Sequence, residues 1–204
     1  MMQLIGMLDS PYVRRVAISL RLLGLPFEHR PVSVFRAFDE FRQINPVVKA
    51  PSLVCDDGEV LMDSTLILDY AQALAPHRSL MPADIQQRQH ALRLVGLALA
   101  ACEKAVQIVY ERNVRPPEKL HQPWVDRVRG QLAAALGELE AELQRRPLEL
   151  TSAGISQAGI TAAVTWQFTH MALPGVVDAA GYPALQALSQ QAEQLPEFIA
   201  TPPT

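Results

Sequence analysis

The chain has 204 residues, a net charge of −3 and 49% hydrophobic residues. That is enough apolar material for one large domain or two small ones, and too much for a disordered chain. There is no long basic run, which argues against nucleic acid as a partner, and the longest apolar run, Leu94 to Cys102, is too short to span a membrane. Cys55 and Cys102 form neither a disulfide framework nor a metal cluster, so a reducing compartment fits. His29, His77, His90, His121 and His170 lack metal-ligand spacing, so no metal is expected. The first residues, MMQLIGMLDS, have no charged n-region and no long apolar core, which predicts no signal peptide.

Gln3 to Leu8 predicts a short strand. Asp9-Ser10-Pro11 ends it and starts a helix, because Ser is a favoured N-cap and Pro a favoured first helical residue. Val13, Val16, Ala17, Leu20 and Leu23 mark its buried face, and Gly24 with Pro26 closes it. Phe27 to Val34 is a second strand, placed near a sheet edge by Pro31. Ala37 to Ile44 is a short helix or an irregular segment. Leu53–Cys55 and Val60–Met62 are strands around an Asp57-Gly58 turn. Asp63 and Ser64 stand at the next helix start, whose apolar face reads Ile67, Tyr70, Ala71 and Leu74. A hairpin ending at a helix N-terminus offers Asp63, Ser64 and free N–H groups to a small ligand carrying a carboxylate and an amine.

Pro76 to Ala83 has little periodicity and reads as the connection. Beyond it the pattern is helical: Leu92, Val95, Leu99, Cys102, Val106 and Val109, then, after Pro116-Pro117, Val125, Val128, Leu132, Leu136, Leu139 and Leu143. Ile160, Ala163, Val164, Phe168 and Met171 form a third stripe. Pro183 to Gln194 and Glu197 to Ala200 are short terminal helices, and the tail Thr201 to Thr204 looks loose. The expected division is 1–78, an α+β domain of order βαβ-ββα, then a linker at 79–84, then an all-helical bundle at 85–204. Arg14-Arg15 and Arg145-Arg146 read as solvated faces.

The stretch from Asn45 to Tyr70 resembles the glutathione-binding half of the glutathione transferase family. That family has a loop of the form N-P-x-G-K-V-P, two strands, and E-S or D-S at a helix start. Here the loop is Asn45-Pro46-Val47-Val48-Lys49-Ala50-Pro51 and the acidic pair is Asp63-Ser64. Val48 replaces the family's Gly, and Ala50 its usual Val. The resemblance extends through the helical half. There the family's S-x-x-D helix start is represented by Ser156 with Gly159 in place of the acid, flanked by Ile155 and Ile160 as a hydrophobic staple. The missing acid implies a cost of roughly 1 kcal/mol.

The resemblance implies a thioredoxin-like N-terminal domain and a bacterial, serine-type transferase. The turn Ser10-Pro11-Tyr12-Val13 stands where glutaredoxin-like proteins have Cys-Pro-Tyr-Cys, so dithiol exchange is unsupported. Ser10 would donate a hydrogen bond to the glutathione sulfur and favour the thiolate; Tyr12 is the rival hydroxyl. Pro51 would be cis, Ala50 would meet the cysteinyl backbone, Lys49 the glycine carboxylate, and Asp63 and Ser64 the γ-glutamyl amine and carboxylate. Tyr12, Tyr110 and Trp166 are candidates for the pocket of an electrophilic small molecule. The implied protein is cytoplasmic, homodimeric and detoxifying, with glutathione as co-substrate. The alternatives are another glutathione-dependent enzyme (isomerase, peroxidase or dehalogenase) or a non-catalytic interaction protein like the starvation proteins and elongation-factor gamma subunits.

Overall fold

The computed structural model describes residues 1–204, which divide into two compact units: Met1–Leu80 with Leu195–Thr204, and Met81–Gln194. The first unit holds β1 (Met2–Ile5), α1 (Pro11–Leu22), β2 (Phe27–Arg30), α2 (Phe38–Ile44), β3 (Ser52–Val54), β4 (Val60–Met62) and α3 (Ser64–Leu74). Its four strands run in the order β2-β1-β3-β4. β1 pairs parallel to β2 with Met2 opposite Phe27, and antiparallel to β3 with Leu4 opposite Leu53. β3 and β4 are antiparallel, with Leu53 opposite Leu61.

β1 is central, and its successive residues Leu4 and Ile5 are both fully buried. Since neighbours in a strand point to opposite faces, both faces of the sheet are covered. Ile5 joins Val32 and Phe41 on the α2 side. The strand stops at Ile5 rather than at Leu8 because Gly6 takes φ 135. A Cβ on Gly6 would lie 2.6 Å from Val13 and 3.1 Å from the Ala50 methyl, so only glycine lets the chain cross α1 there. β2 stops at Arg30 rather than at Val34. Pro31 has no N–H for the ladder, and the Val32 N–H folds back on the Arg30 carbonyl at 2.9 Å.

α1 ends as its sequence directs. Gly24 takes φ 69, and the N–H groups of Gly24 and Leu25 reach the carbonyls of Arg21 and Leu20, a Schellman turn. On α3 the buried set is Ser64, Ile67, Leu68 and Ala71, which keeps the helical period but leaves Tyr70 and Leu74 on the exposed side. The tail is not loose. A short helix, α8 (Pro196–Ile199), belongs to the first unit rather than to the helical domain. Phe198 is fully buried there with the Arg14 guanidinium 5.6 Å above its ring, and Arg14 Nε donates to the Thr201 carbonyl at 2.8 Å.

The second unit is helical: α4 (Ile85–Asn113), α5 (Gln122–Arg145), α6 (Gln157–Ala172) and α7 (Pro183–Ala192), with 3₁₀ turns at Pro117–Lys119 and Ala179–Gly181. α4 packs on α5 and α6, and α7 packs on α5 and α6. Asp84 caps α4 by accepting from the N–H groups of Gln86 and Gln87. The buried stripe of α4 is Ala91, Leu94, Val95, Ala98, Ala101, Cys102, Ala105 and Ile108. It lies beside the stripe expected from the larger side chains, and Leu92 is exposed. A helix flanked by two others brings alanines to the contact, because a small side chain lets the backbones approach.

The α5 stripe from Val125 to Leu143 is buried as expected. α6 is buried on every side from Gln157 to Trp166, and only its last turns, with Met171, reach the surface. Its threonine hydroxyls find carbonyls, Thr161 on Gln157 and Thr169 on Thr165 within the helix and Thr165 on Ala98 of α4. Ser156 holds the N-cap place of α6 but makes no side-chain cap bond. Ile155 lies over Gly159 instead, where a Cβ would sit 3.2 Å from its Cγ1. The space for the acid of a capping box is thus occupied by the staple. No helix is long and apolar enough to cross a membrane.

Candidate active site

The first unit collects six polar or backbone groups at the ends of its elements. Ser10 is the N-cap of α1, with φ −72 and ψ 121, and its carbonyl accepts from the Arg14 N–H at 2.9 Å. Its hydroxyl makes no cap bond, although serine is chosen at this place for that bond. Ser10 Oγ therefore stays available at the positive end of a helix that Pro11 begins. Tyr12 is half-buried one turn position further on.

The loop before β3 is held from inside. Asn45 is buried; its Oδ1 accepts from the Val47 N–H at 3.0 Å and its Nδ2 donates to Ser52 Oγ at 2.8 Å. Ser52 Oγ in turn donates to the Lys49 carbonyl at 2.8 Å. Between these ties the Ala50–Pro51 peptide is cis, the arrangement that the resemblance implies. Val48 takes φ 53, which explains why the family pattern has Gly at this place. A β-branched residue is strained there, at a cost of roughly 1–3 kcal/mol. Packing of Val48 on the Ile5–Val32–Phe41 cluster offsets part of it.

α3 begins at Asp63, which adopts φ 71 and ψ 124 and accepts from the Thr65 N–H through Oδ1 at 2.9 Å. A second strained non-glycine residue thus stands in the same site. Asp63 Oδ2 lies 3.6 Å from Lys49 Nζ, and both side chains are about half exposed. Such a pair contributes little to stability and is readily exchanged for the charges of a ligand.

Ser64 is buried, and Arg15 of α1 reaches it: Nη1 donates to Ser64 Oγ at 3.2 Å and to Thr65 Oγ1 at 3.5 Å. Arg14 and Arg15 are each only 2% exposed, which corrects their reading as a solvated face. α1 is covered on nearly all sides, so a polar residue on it must find a partner inside. A guanidinium only donates, so Ser64 Oγ must accept from it. The single O–H of Ser64 is then left to donate outward. With the free N–H groups of the α3 N-terminus, this makes a seat for a carboxylate. Arg15, Asn45 and Ser52 brace the candidate site, and the sequence reading assigned them no role in it.

Tyr110 and Trp166 belong to the second unit. Tyr110 sits near the end of α4, and partial burial raises its phenol pKa above the ordinary value. Trp166 is 4% exposed and packs on His170, with centroids 4.4 Å apart, and on Tyr182 at 5.5 Å. Trp166, His170, Gln186, Ser189 and Glu193 line a cavity of about 370 Å³ that does not include Tyr110.

Comparison with known proteins bears on both units. Residues 4–79 match the family described as glutathione S-transferase, N-terminal domain, and residues 122–190 match glutathione S-transferase, C-terminal domain. A zeta-class glutathione S-transferase of Euphorbia esula is 31% identical over 90% of this chain and 82% of its own. A maleylacetoacetate isomerase of Pseudomonas aeruginosa is 30% identical over 61% of this chain and 63% of its own. A solved structure of a glutathione transferase family member from Pseudomonas fluorescens, with bound glutathione, superposes with a TM-score of 0.83 at 29% identity, covering 100% of both chains.

Proposed function

Because this chain belongs to the glutathione S-transferase family, we propose that it binds glutathione in the first unit and directs its thiolate onto an electrophilic small molecule. The observation that carries this reading is the Ser10 hydroxyl, placed at the N-terminus of α1 and not engaged in capping it. Ser10 Oγ–H donates to the glutathione sulfur, and the helix end adds positive potential. Both favour S⁻ over S–H, and the proton leaves to solvent. The thiolate then forms a C–S bond with the electrophile, and in a substitution the carbon–halogen bond breaks and halide departs.

The remaining groups hold the tripeptide. The γ-glutamyl carboxylate takes the Ser64 O–H and the α3 N–H groups, with the Arg15 charge behind them. Its amine takes the Asp63 carboxylate. The cysteinyl backbone pairs with Ala50, which the cis Pro51 presents, and Lys49 takes the glycine carboxylate on leaving Asp63. Tyr12, Tyr110 and Trp166 are the proposed contacts of the electrophile. The protein is proposed to work in the cytoplasm as a homodimer. Exposed Leu66, Tyr70 and Leu74 on α3 of the first unit, and exposed Ile85 and Leu92 on α4 of the second, are apolar groups that such an assembly would cover.

Calorimetry tests the binding. Glutathione should saturate the protein, and Asp63→Ala should weaken it; absence of heat at millimolar glutathione would overturn the reading. Conjugation of glutathione to a halogenated dinitrobenzene tests the reaction. A second reading, glutathione-dependent isomerisation, rests on the similarity to the Pseudomonas aeruginosa isomerase. Turnover of a cis enedione without net loss of glutathione would favour it over conjugation.

A further inference from the structure

We propose that the second unit carries a separate site for a small apolar monocarboxylate, anchored by Arg129. A cleft of about 390 Å³ lies between α5 and the segment that joins α6 to α7. That volume falls in the range of small-molecule sites. α5 contributes Arg129, Leu132 and Gly137 to its lining, and the joining segment contributes Val177, Asp178 and Tyr182. It contains none of the groups assigned above to glutathione, and the proposal does not depend on that assignment.

Three observations point to a ligand. First, Arg129 is half-buried, and its Nε is shielded from solvent with no hydrogen-bond partner. Lys104, the other half-buried lysine or arginine of this unit, is paired with Glu103. A shielded, unsatisfied guanidinium N–H is costly unless an anion completes it. Second, two places on its walls carry no side chain: Gly137 of α5 and Gly181 of the joining segment both line the cleft, and both are exposed. Third, the chemistry of the walls is graded. Leu132 and Val177 offer aliphatic contact and Tyr182 an aromatic ring. Asp178, whose Oδ1 accepts from the Ala180 N–H at 3.1 Å, adds a negative charge.

One cation, one carboxylate and an apolar middle select a ligand with a single negative end. The carboxylate pairs with the Arg129 fork. The body packs on Leu132, Val177 and Tyr182. A second carboxylate is repelled by Asp178, and a cation is repelled by Arg129.

Phenylacetate is a suitable probe, with succinate and phenylethylamine as controls, titrated into the full-length protein by calorimetry or ligand-observed NMR. Phenylacetate should saturate with Kd below about 1 mM, and the two controls should not. Arg129→Gln should weaken phenylacetate by about tenfold or more. Gly137→Leu, which fills the cleft and leaves Arg129 in place, should abolish binding while helical circular dichroism is retained. Glutathione affinity should be unchanged in both variants. Failure of phenylacetate to bind at millimolar concentration, wild-type affinity in Arg129→Gln, or wild-type affinity in Gly137→Leu would each overturn the proposal.

Discussion

Arg15 is a full charge enclosed in the first unit, and two hydroxyls, those of Ser64 and Thr65, receive it. It touches Ser64 rather than the proposed ligand, so its proposed role is to position that hydroxyl. Arg15→Gln should raise KM for glutathione by about tenfold, the equivalent of one charge-assisted hydrogen bond of roughly 1.5–3 kcal/mol. kcat should change little, because the proposed site gives the sulfur to Ser10. Steady-state kinetics at varied glutathione checks this; a fall in kcat at constant KM would place Arg15 at the reacting atom instead. The site was partly legible in the sequence. Ser10, Pro51, Asp63 and Ser64 stand at element boundaries whose turn and cap chemistry is local. Arg15 was not legible, because its partner is 49 residues away and nothing local separates a buried arginine from a solvated one. Asn45 and Ser52 were hidden for a related reason, since their bonds brace the loop from within rather than mark its ends. The strain at Val48 and Asp63 is readable only from the backbone, where positive φ at non-glycine residues falls in the proposed glutathione site.

At the scale of elements, carboxylates of α5 tie the helical unit together. Glu140 is buried and accepts from the N–H groups of Ala184 and Leu185, at 2.8 and 2.9 Å, so it caps α7 from another helix. Tyr182, in the local cap place, provides no side-chain bond. Glu140→Ala leaves two donors without partners and should cost roughly 1–3 kcal/mol. Thermal unfolding should shift down by roughly 2–4 °C for each kcal/mol; an unchanged midpoint would refute the cap. Glu142 joins α5 to α4. Arg145, then Arg93 and His90, hold its carboxyl at about 2, well below the ordinary 4.5. A depressed carboxyl contributes stability that is fully present above its unfolded value and is lost as pH falls through its folded value. The stability difference between the protein and Glu142→Gln should therefore narrow as pH falls from about 4.5 to about 2, read by denaturant unfolding at each pH. A difference independent of pH would show that the cluster does not act through charge. Helix existence was legible from period and proline placement. The phase of α4 was not, because its contacts use alanines that a search for large apolar side chains passes over.

At the scale of the whole molecule, the exposed face of α3, with Leu66, Tyr70 and Leu74, is proposed to close on a second copy. Light scattering should give about twice the 22.5 kDa chain mass. A charge on this face, Leu66→Glu, should shift the mass to that of one chain, and a wild-type monomer at micromolar concentration would contradict the dimer. The proposed reaction turns on a single hydroxyl at the start of α1. The direct measurement is thiolate absorbance of bound glutathione against pH in the wild type, in Ser10→Ala and in Tyr12→Phe. Loss of one charge-assisted hydrogen bond raises the thiol pKa by about one to two units. The account predicts that shift in Ser10→Ala, with glutathione still bound, and none in Tyr12→Phe. An unchanged titration in Ser10→Ala with a shifted one in Tyr12→Phe would contradict it and give the catalytic hydroxyl to Tyr12.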